Sequence, residues 1–290
     1  MGDRRPAAFY VLAVIFALYV LFLYGPMIAI FALSFQGPDG GLTFPMNGFS
    51  LVWFKKLFQG GGIVNIGAAF RRSLALGVVV MLLTVVISVA AGLAFRRRFA
   101  GSSALFYVAI ASLIVPSIIT SLGIALEFRI VDDVVKMQVA EHSTWMGLFT
   151  SGLGAHLTWT LPFGLLIMFA IFNRFNPAFE EAARDLGASP WQSFRHVVLP
   201  IILPSVIGIG LFGFTLSWDE IARSSQAIGE VNTLPLELEG LTTTVTRPDI
   251  YALGTVTSAV SFLVILMALL GITLLQRRTR RAGSDAGKGV

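Results

Sequence analysis

From Ala7 to Phe35 the chain carries no charged residue. A stretch of this kind is longer than the ~20 residues needed to cross a bilayer core. Five more apolar runs follow, so that spans are predicted at 8–34, 73–95, 104–127, 145–172, 199–221 and 250–276. In lipid every backbone N–H and C=O must be satisfied within the segment, which makes these spans helices. Composition agrees. The chain is 56% hydrophobic and 13% charged, whereas soluble domains average about 45–50% and about 25%. The expected fold class is therefore an all-α polytopic membrane protein with six transmembrane helices. The first run far exceeds the about 7–15 residues of a signal-peptide core, so it reads as a span that stays.

A sequence pI near 9.9 would suit a nucleic-acid binder, but the basic residues flank apolar runs instead of forming a stripe on a soluble face. No nucleic acid is expected as a partner; the lipid bilayer is. With no cysteine, disulfides, thiolate metal sites and cysteine nucleophiles are excluded. Placing the N-terminus inside puts 13 of the 21 lysines and arginines on the inner side, with clusters at 96–98 and 277–281. This bias predicts cytoplasmic N- and C-termini. The outer segments then hold 11 acidic residues against 8 basic ones, Arg223 among the latter, and this mildly acidic mouth favours a cationic solute.

One polar island interrupts the apolar chain, from Glu180 to Trp191. Local chemistry reads it as helix, tight turn, helix. Asn176 can cap the first helix, with Pro177 at its first position. Glu180 and Glu181 complement the positive end of the helix dipole, and Glu180 can pair with Arg184 one turn on. Gly187 stands where a left-handed residue ends a helix. Ser189, Pro190 and Gln192 form the pattern of a capping box for the second helix. Pro200 is expected to break or bend the chain before the next apolar run.

Glu181-Ala182-Ala183, Gly187, Val197 and Leu199-Pro200 resemble the EAA signature of the permease subunits of bacterial ATP-binding-cassette importers, with Val197 replacing an isoleucine. At typical residue frequencies the six matched positions coincide by chance about once in ten million starts. The resemblance implies a type I permease. Its five-helix core would be 73–276, with a cytoplasmic coupling loop 174–198. A tail and first helix (1–35), a periplasmic loop (36–72) and a basic cytoplasmic tail (277–290) would complete the chain. It also implies that Glu181, Ala182, Ala183, Arg184 and Gly187 contact separate ATPase subunits, which bind the ATP and magnesium. Other implied partners are a second permease subunit, identical or different, and a periplasmic solute-binding protein. In the chain itself there is no G-x-x-x-x-G-K-[ST] and no H-E-x-x-H, so no cofactor or metal is expected. His142, His156 and His196 lack metal-ligand spacing, and no positioned base accompanies Ser217. The chain is not expected to be an enzyme.

Further features bear on the path. Ser88, Ala91 and Gly92 are small enough for close helix contact. Pro116 and Pro162 fall inside predicted spans, as kinks that can line a path. Phe214-Thr215-Leu216-Ser217 followed by Trp218, Asp219 and Glu220 resembles the spermidine/putrescine permeases most. There Trp218 could attract an ammonium by cation–π and the carboxylates by charge. Related permeases for ferric ion, thiamine, sulfate or opines would share the fold that the resemblance implies. An ion-coupled secondary transporter would require ionisable residues at span centres, of which there are almost none. In the first outer segment, Leu51–Phe58 suggests a short interfacial helix with Trp53 at headgroup level, and residues 283–290 read as disordered.

Overall fold

The computed structural model describes residues 6–39, 41, 44–59, 65–97, 99–139, 141–244 and 248–286, with 58, 244 and 275–286 by backbone alone. Arg4, Arg5, Arg98, Arg247, Lys288 and the glycines at 40 and 60–62 lie outside these. Among the described residues the secondary structure is helical, with one isolated antiparallel bridge, Gln36 to Phe49. The chain divides into two compact units, Met1–Gly67 with Leu238–Val260, and Ala68–Glu237 with Ser261–Val290.

In the first unit α1 (Ala7–Leu33) is apolar on every side and exposes Phe16 and Phe22, as a lipid-facing helix does. The loop after it is built around Gln36. The Gln36 amide donates to the Gly41 carbonyl at 2.7 Å and accepts from the Asn47 N–H at 2.8 Å. The short helix α2 (Val52–Gln59) forms where expected. Trp53, however, is buried, and its indole N–H donates to the Gln36 carbonyl at 2.9 Å. It anchors the loop from within, where a buried indole N–H needs an acceptor.

The second unit holds most of α3 (Ile66–Phe95), whose helix begins seven residues before the predicted span start at 73. It continues with α4 (Ser102–Ala111), α5 (Ser117–Lys136), α6 (Leu153–Arg174, entered through a π-turn at Leu148–Gly152), α7 (Ala178–Asp185) and α8 (Pro190–Ser193). Then come α9 (Leu199–Trp218), α10 (Ser224–Ala227), part of α11 (Leu234–Thr244) and part of α12 (Pro248–Ala286). Among the described residues, five helices are long and apolar enough to cross a membrane.

The predicted third span, 104–127, is corrected to two helices with a break at 112–116. Pro116 lacks an N–H and disfavours the α conformation in Val115. Pro116 itself is extended, at φ −54 and ψ 133, and α5 starts after it. At ten residues α4 spans about 15 Å, half a bilayer core. Pro162, by contrast, sits inside an unbroken α6. Pro200 does not break the chain either. Helix runs on from Pro190 to Trp218, with a π-turn at Phe194–Val198 just before the proline. The wider turn accommodates the hydrogen bond that Pro200 cannot donate to His196. Backbone helix also continues through Ala286, into the tail that the sequence suggests is disordered from 283.

Three contacts align α3 with α6. Thr84 and Thr160 share a hydroxyl hydrogen bond of 2.7 Å. Gly164 packs on Ser88, and Gly92 packs on Met168 and Phe172. The pairs 84/160, 88/164 and 92/168 keep one offset of 76 residues, so α3 and α6 run parallel. Gly77 meets Phe214 while Gly210 meets Met81 and Val85, which makes α9 antiparallel to α3. Met168, Val198, Ile202 and Ile209 form the apolar core between α6 and α9. The small residues Ser88 and Gly92 thus do bring helices together, as their size predicts.

Candidate functional site

The hairpin lies where α3 and α6 end and α9 begins. Asn176 Oδ1 accepts from the Ala178 N–H at 3.0 Å, capping α7. Gly187 has φ +86, in the left-handed region, and the N–H of Ala188 reaches back to the Ala183 carbonyl at 3.0 Å. The capping box is complete. Ser189 Oγ accepts from the Gln192 N–H at 3.3 Å, and Gln192 Oε1 accepts from the Ser189 N–H at 2.8 Å.

Glu180 and Arg184 approach no closer than 4.0 Å. The principal partner of Glu180 is one that sequence proximity does not reveal. Arg96, at the end of α3, donates to both its carboxylate oxygens, at 2.6 and 3.2 Å. Its guanidinium also lies 5.1 Å from the ring centres of Phe172 and Phe175. Arg96 therefore fastens α7 to α3 and to the end of α6 by a forked ion pair and cation–π stacking. Two adjoining cavities of about 310 and 240 Å³ flank this contact, the first bordered by Arg97, Glu181 and Arg184. Along the hairpin Glu181, Ala182, Arg184 and Gly187 are exposed and Ala183 is half-buried. Leu186 is 91% exposed, and Phe179 and Trp191 are exposed beside it. A charged rim around apolar side chains on a capped helix suits a protein partner.

At the opposite end of α3, α6 and α9 lies the 217–224 turn. Asp219 is exposed. Trp218 is buried, stacked on Phe214 at 5.6 Å and 16° and met edge-on by Phe70. Its ring faces are used in packing, which corrects the expectation that it offers one to an ammonium. Glu220 is largely buried and accepts from the Arg223 N–H at 2.8 Å. The mouth thus presents one free carboxylate from this pair.

Arg223, an outer basic residue by its place in the chain, has a fully buried side chain. Nη1 donates to Ser117 Oγ at 2.8 Å, Nε to Thr158 Oγ1 at 3.2 Å and Nη2 to the Ser112 carbonyl at 3.4 Å. Its guanidinium lies 4.5 Å from the ring centre of Trp159. Nearby, buried His156 bridges Ser217 and Ser224, at 2.8 Å on each ring nitrogen. Ser217 therefore does have an imidazole beside it, contrary to expectation. Ser224 Oγ donates to the Glu220 carbonyl at 2.8 Å, so it accepts from Nε2–H, which leaves Nδ1 to accept from Ser217. With a hydroxyl rather than a carboxylate behind the ring, the geometry is that of a satisfied polar crosslink between α6, α9 and α10.

Beyond the apolar part of α5, Asp132 ties down the following loop. It accepts from the Trp145 N–H at 2.9 Å and from Thr144 Oγ1 at 2.5 Å, and meets His142 Nε2 at 2.8 Å. The Thr144 and His142 hydrogen bonds hold its carboxyl down to about 2.

A helical bundle of this kind, with five helices long and apolar enough to cross a membrane among the described residues, is a polytopic membrane component. Residues 84–281 match the family described as binding-protein-dependent transport system inner membrane component, and the chain belongs to it. It is 30% identical over 259 residues to the spermidine/putrescine transport system permease protein PotC of Haemophilus influenzae, covering 89% of this chain and 94% of that one. It is 29% identical over 248 residues to the putrescine transport system permease protein PotI of Escherichia coli K12, covering 83% of each. Among solved structures, a chain of a bacterial ABC transporter importing the acidic polysaccharide alginate superposes with a TM-score of 0.63 at 17% identity, over 94% of this chain and 95% of its own. A chain of the MetNI methionine ABC transporter gives 0.57 at 15%, over 78% and 99%. At such identities the likeness is one of fold.

One consequence of the hairpin geometry is testable directly. A Cβ added at Gly187 would have nothing within 4 Å, so a side chain there meets only the backbone penalty of positive φ, about 1–2 kcal/mol. Gly187→Ala is expected to lower transport several-fold with near-normal protein in the membrane. Gly187→Asn, which tolerates the left-handed region, should retain most of it. Equal transport by all three proteins would show that the turn geometry does not matter.

Proposed function

We propose that this chain is a membrane-spanning subunit of an ATP-driven importer and that its solute is a polyamine-like cation. The observation that carries the coupling role is the hairpin: a rigid, capped element with an exposed mixed surface, fastened to two core helices by Arg96 and Glu180. A rigid element fixed in this way transmits a rigid-body displacement. Separate ATPase subunits, holding ATP and magnesium, engage Glu181, Ala182, Ala183, Arg184 and Gly187 from the cytoplasmic side. A second permease subunit completes the path, and a periplasmic binding protein delivers the solute. The parallel run of α3 and α6 supports reading α4 and α5 together as one crossing. Six crossings leave both termini in the cytoplasm, in keeping with the basic flanks.

Fold does not choose the solute, since a chain of similar fold serves an importer of an acidic polysaccharide. The cationic reading rests on the polyamine permeases among the relatives and on exposed Asp219 at the outer end of α9. The test is ATP-dependent uptake of labelled putrescine and spermidine by the full complex in vesicles, with ferric ion, thiamine and sulfate as competitors. Uptake is expected to be lost on deleting 180–187, and Asp219→Asn is expected to raise KM about tenfold, the scale of one lost charge contact of ~1.4 kcal/mol. Uptake that survives the deletion removes the coupling role; polyamine uptake indifferent to Asp219→Asn removes the carboxylate's role.

A further inference from the structure

The two adjacent carboxylates of the outer turn are used differently. Asp219 is exposed, whereas Glu220 is folded back on Arg223, with Oε2 3.9 Å from Nη1 in addition to the backbone contact. Arg223 in turn reaches the two sides of the α4–α5 break. Ser112, whose carbonyl it bonds, closes α4, and Ser117, whose hydroxyl it bonds, opens α5. The third bond and the ring contact tie it to Thr158 and Trp159 of α6. Its own backbone is held as well: Ser121 Oγ donates to the Arg223 carbonyl at 2.8 Å and accepts from the Gln226 N–H at 3.2 Å. An interrupted helix at membrane depth needs its freed backbone groups satisfied by protein. A buried guanidinium needs both hydrogen bonds and a counter-charge. Arg223 and Glu220 supply these to each other and to the break.

We propose that Arg223 is a positioning residue of the transport path. It holds the α4–α5 break in register with α6 and the end of α9, and it withdraws Glu220 from the solute, so that Asp219 is the carboxylate of this pair that a cation meets. Arg223 touches no solute itself. The inference deepens the proposed importer role and rests on it. In this subunit the solute's interaction is with one negative charge rather than two, so affinity and turnover separate by residue. Asp219 sets how well a cation is taken, and the Glu220–Arg223 pair sets how fast the path cycles.

The experiment measures KM and kcat for ATP-driven uptake of labelled putrescine by the full complex. It compares wild type with Asp219→Asn, Glu220→Gln, Arg223→Met and the double variant Glu220→Gln/Arg223→Met. Glu220→Gln keeps the acceptor for the Arg223 N–H and removes only the charge. The expected result is a KM increase of about tenfold confined to Asp219→Asn. Glu220→Gln and Arg223→Met should each lower kcat about tenfold with KM within about twofold of wild type. The double variant should recover part of the kcat lost in either single one, because it leaves no lone buried charge. A KM increase in Glu220→Gln equal to that in Asp219→Asn overturns the inference, and that comparison stands even if Arg223→Met fails to assemble. Wild-type kcat in Arg223→Met overturns it too. If the wild-type complex takes up no putrescine, the solute reading is at fault, and the same comparison is run with the competitor that is transported.

Discussion

Replacing Arg96 with glutamate will leave the hairpin unfastened and abolish ATP-coupled uptake, and the reciprocal exchange Arg96→Glu with Glu180→Arg will restore a measurable fraction. The forked contact places two oxygens of Glu180 at 2.6 and 3.2 Å from the guanidinium, and neither side chain is freely solvated, at 22% and 14% exposure. Removing one partner of a desolvated charge pair costs about 2–5 kcal/mol. Partial exposure puts this pair near the lower bound, about 2 kcal/mol, or roughly thirtyfold in the population of the docked hairpin. Reversal adds repulsion between two carboxylates, which Arg184 at 4.0 Å offsets in part. Recovery in the exchanged pair will be incomplete, because an arginine on α7 no longer stacks against Phe172 and Phe175 as Arg96 does. The measurement is uptake together with basal ATPase rate in the assembled complex. ATP hydrolysis that persists in Arg96→Glu while uptake is lost is the expected signature of uncoupling. Full uptake in the single variant would mean that the hairpin is held by its partner and not by α3.

How far the sequence alone reaches depends on whether a feature is written locally. The hairpin is local. Its caps, its proline and its glycine are within a few residues of the groups they satisfy, and each one takes the role expected. The apolar spans are local as well. The α4–α5 break is only half so. Pro116 marks its position, but a proline also occurs in the unbroken α6 at Pro162. What separates the two cases is a cation from far along the chain, since Arg223 and Ser117 are 106 residues apart. The same applies to Arg96 and Glu180, 84 residues apart, and to His156 between Ser217 and Ser224. The neighbours of Arg223 in sequence place it in an outer loop, yet its partners are groups on α5 and α6 and in the break between α4 and α5. Tryptophan favours the membrane interface, which makes an interfacial or solute-facing role the natural expectation for Trp53 and Trp218. Both are buried, Trp53 on the Gln36 carbonyl, which lies outside its immediate sequence pattern, and Trp218 against Phe214, one turn back.

Gly164→Ala will destabilise the bundle more than a one-carbon change ordinarily does, and Ser88→Gly will rescue it. A methyl at 164 would overlap Ser88 Oγ and stand 2.9 Å from Ser88 Cβ and 3.3 Å from Ile209 Cγ2. The hydroxyl can rotate away, and it has no hydrogen-bond partner to lose among the described residues. The Cβ cannot move without parting α3 from α6. One turn further on, Gly92 already brings α3 within contact of Met168 and Phe172, and one turn back Thr84 is bonded to Thr160. The helices are therefore held on both sides of the inserted methyl and cannot pivot to admit it. Overpacking in such a seam costs about 1–3 kcal/mol, and Gly164→Val, bulkier still, should prevent accumulation of folded protein. In Ser88→Gly/Gly164→Ala the close contacts with Ser88 side-chain atoms disappear, and the 3.3 Å approach to Ile209 is relieved by a small side-chain shift. Thermal unfolding in detergent is the direct readout, with the double variant expected close to wild type and Gly164→Ala clearly below it. Failure of the rescue would mean that the seam between α3 and α6 is not set by this contact, and the parallel register 84/160, 88/164, 92/168 would need another source.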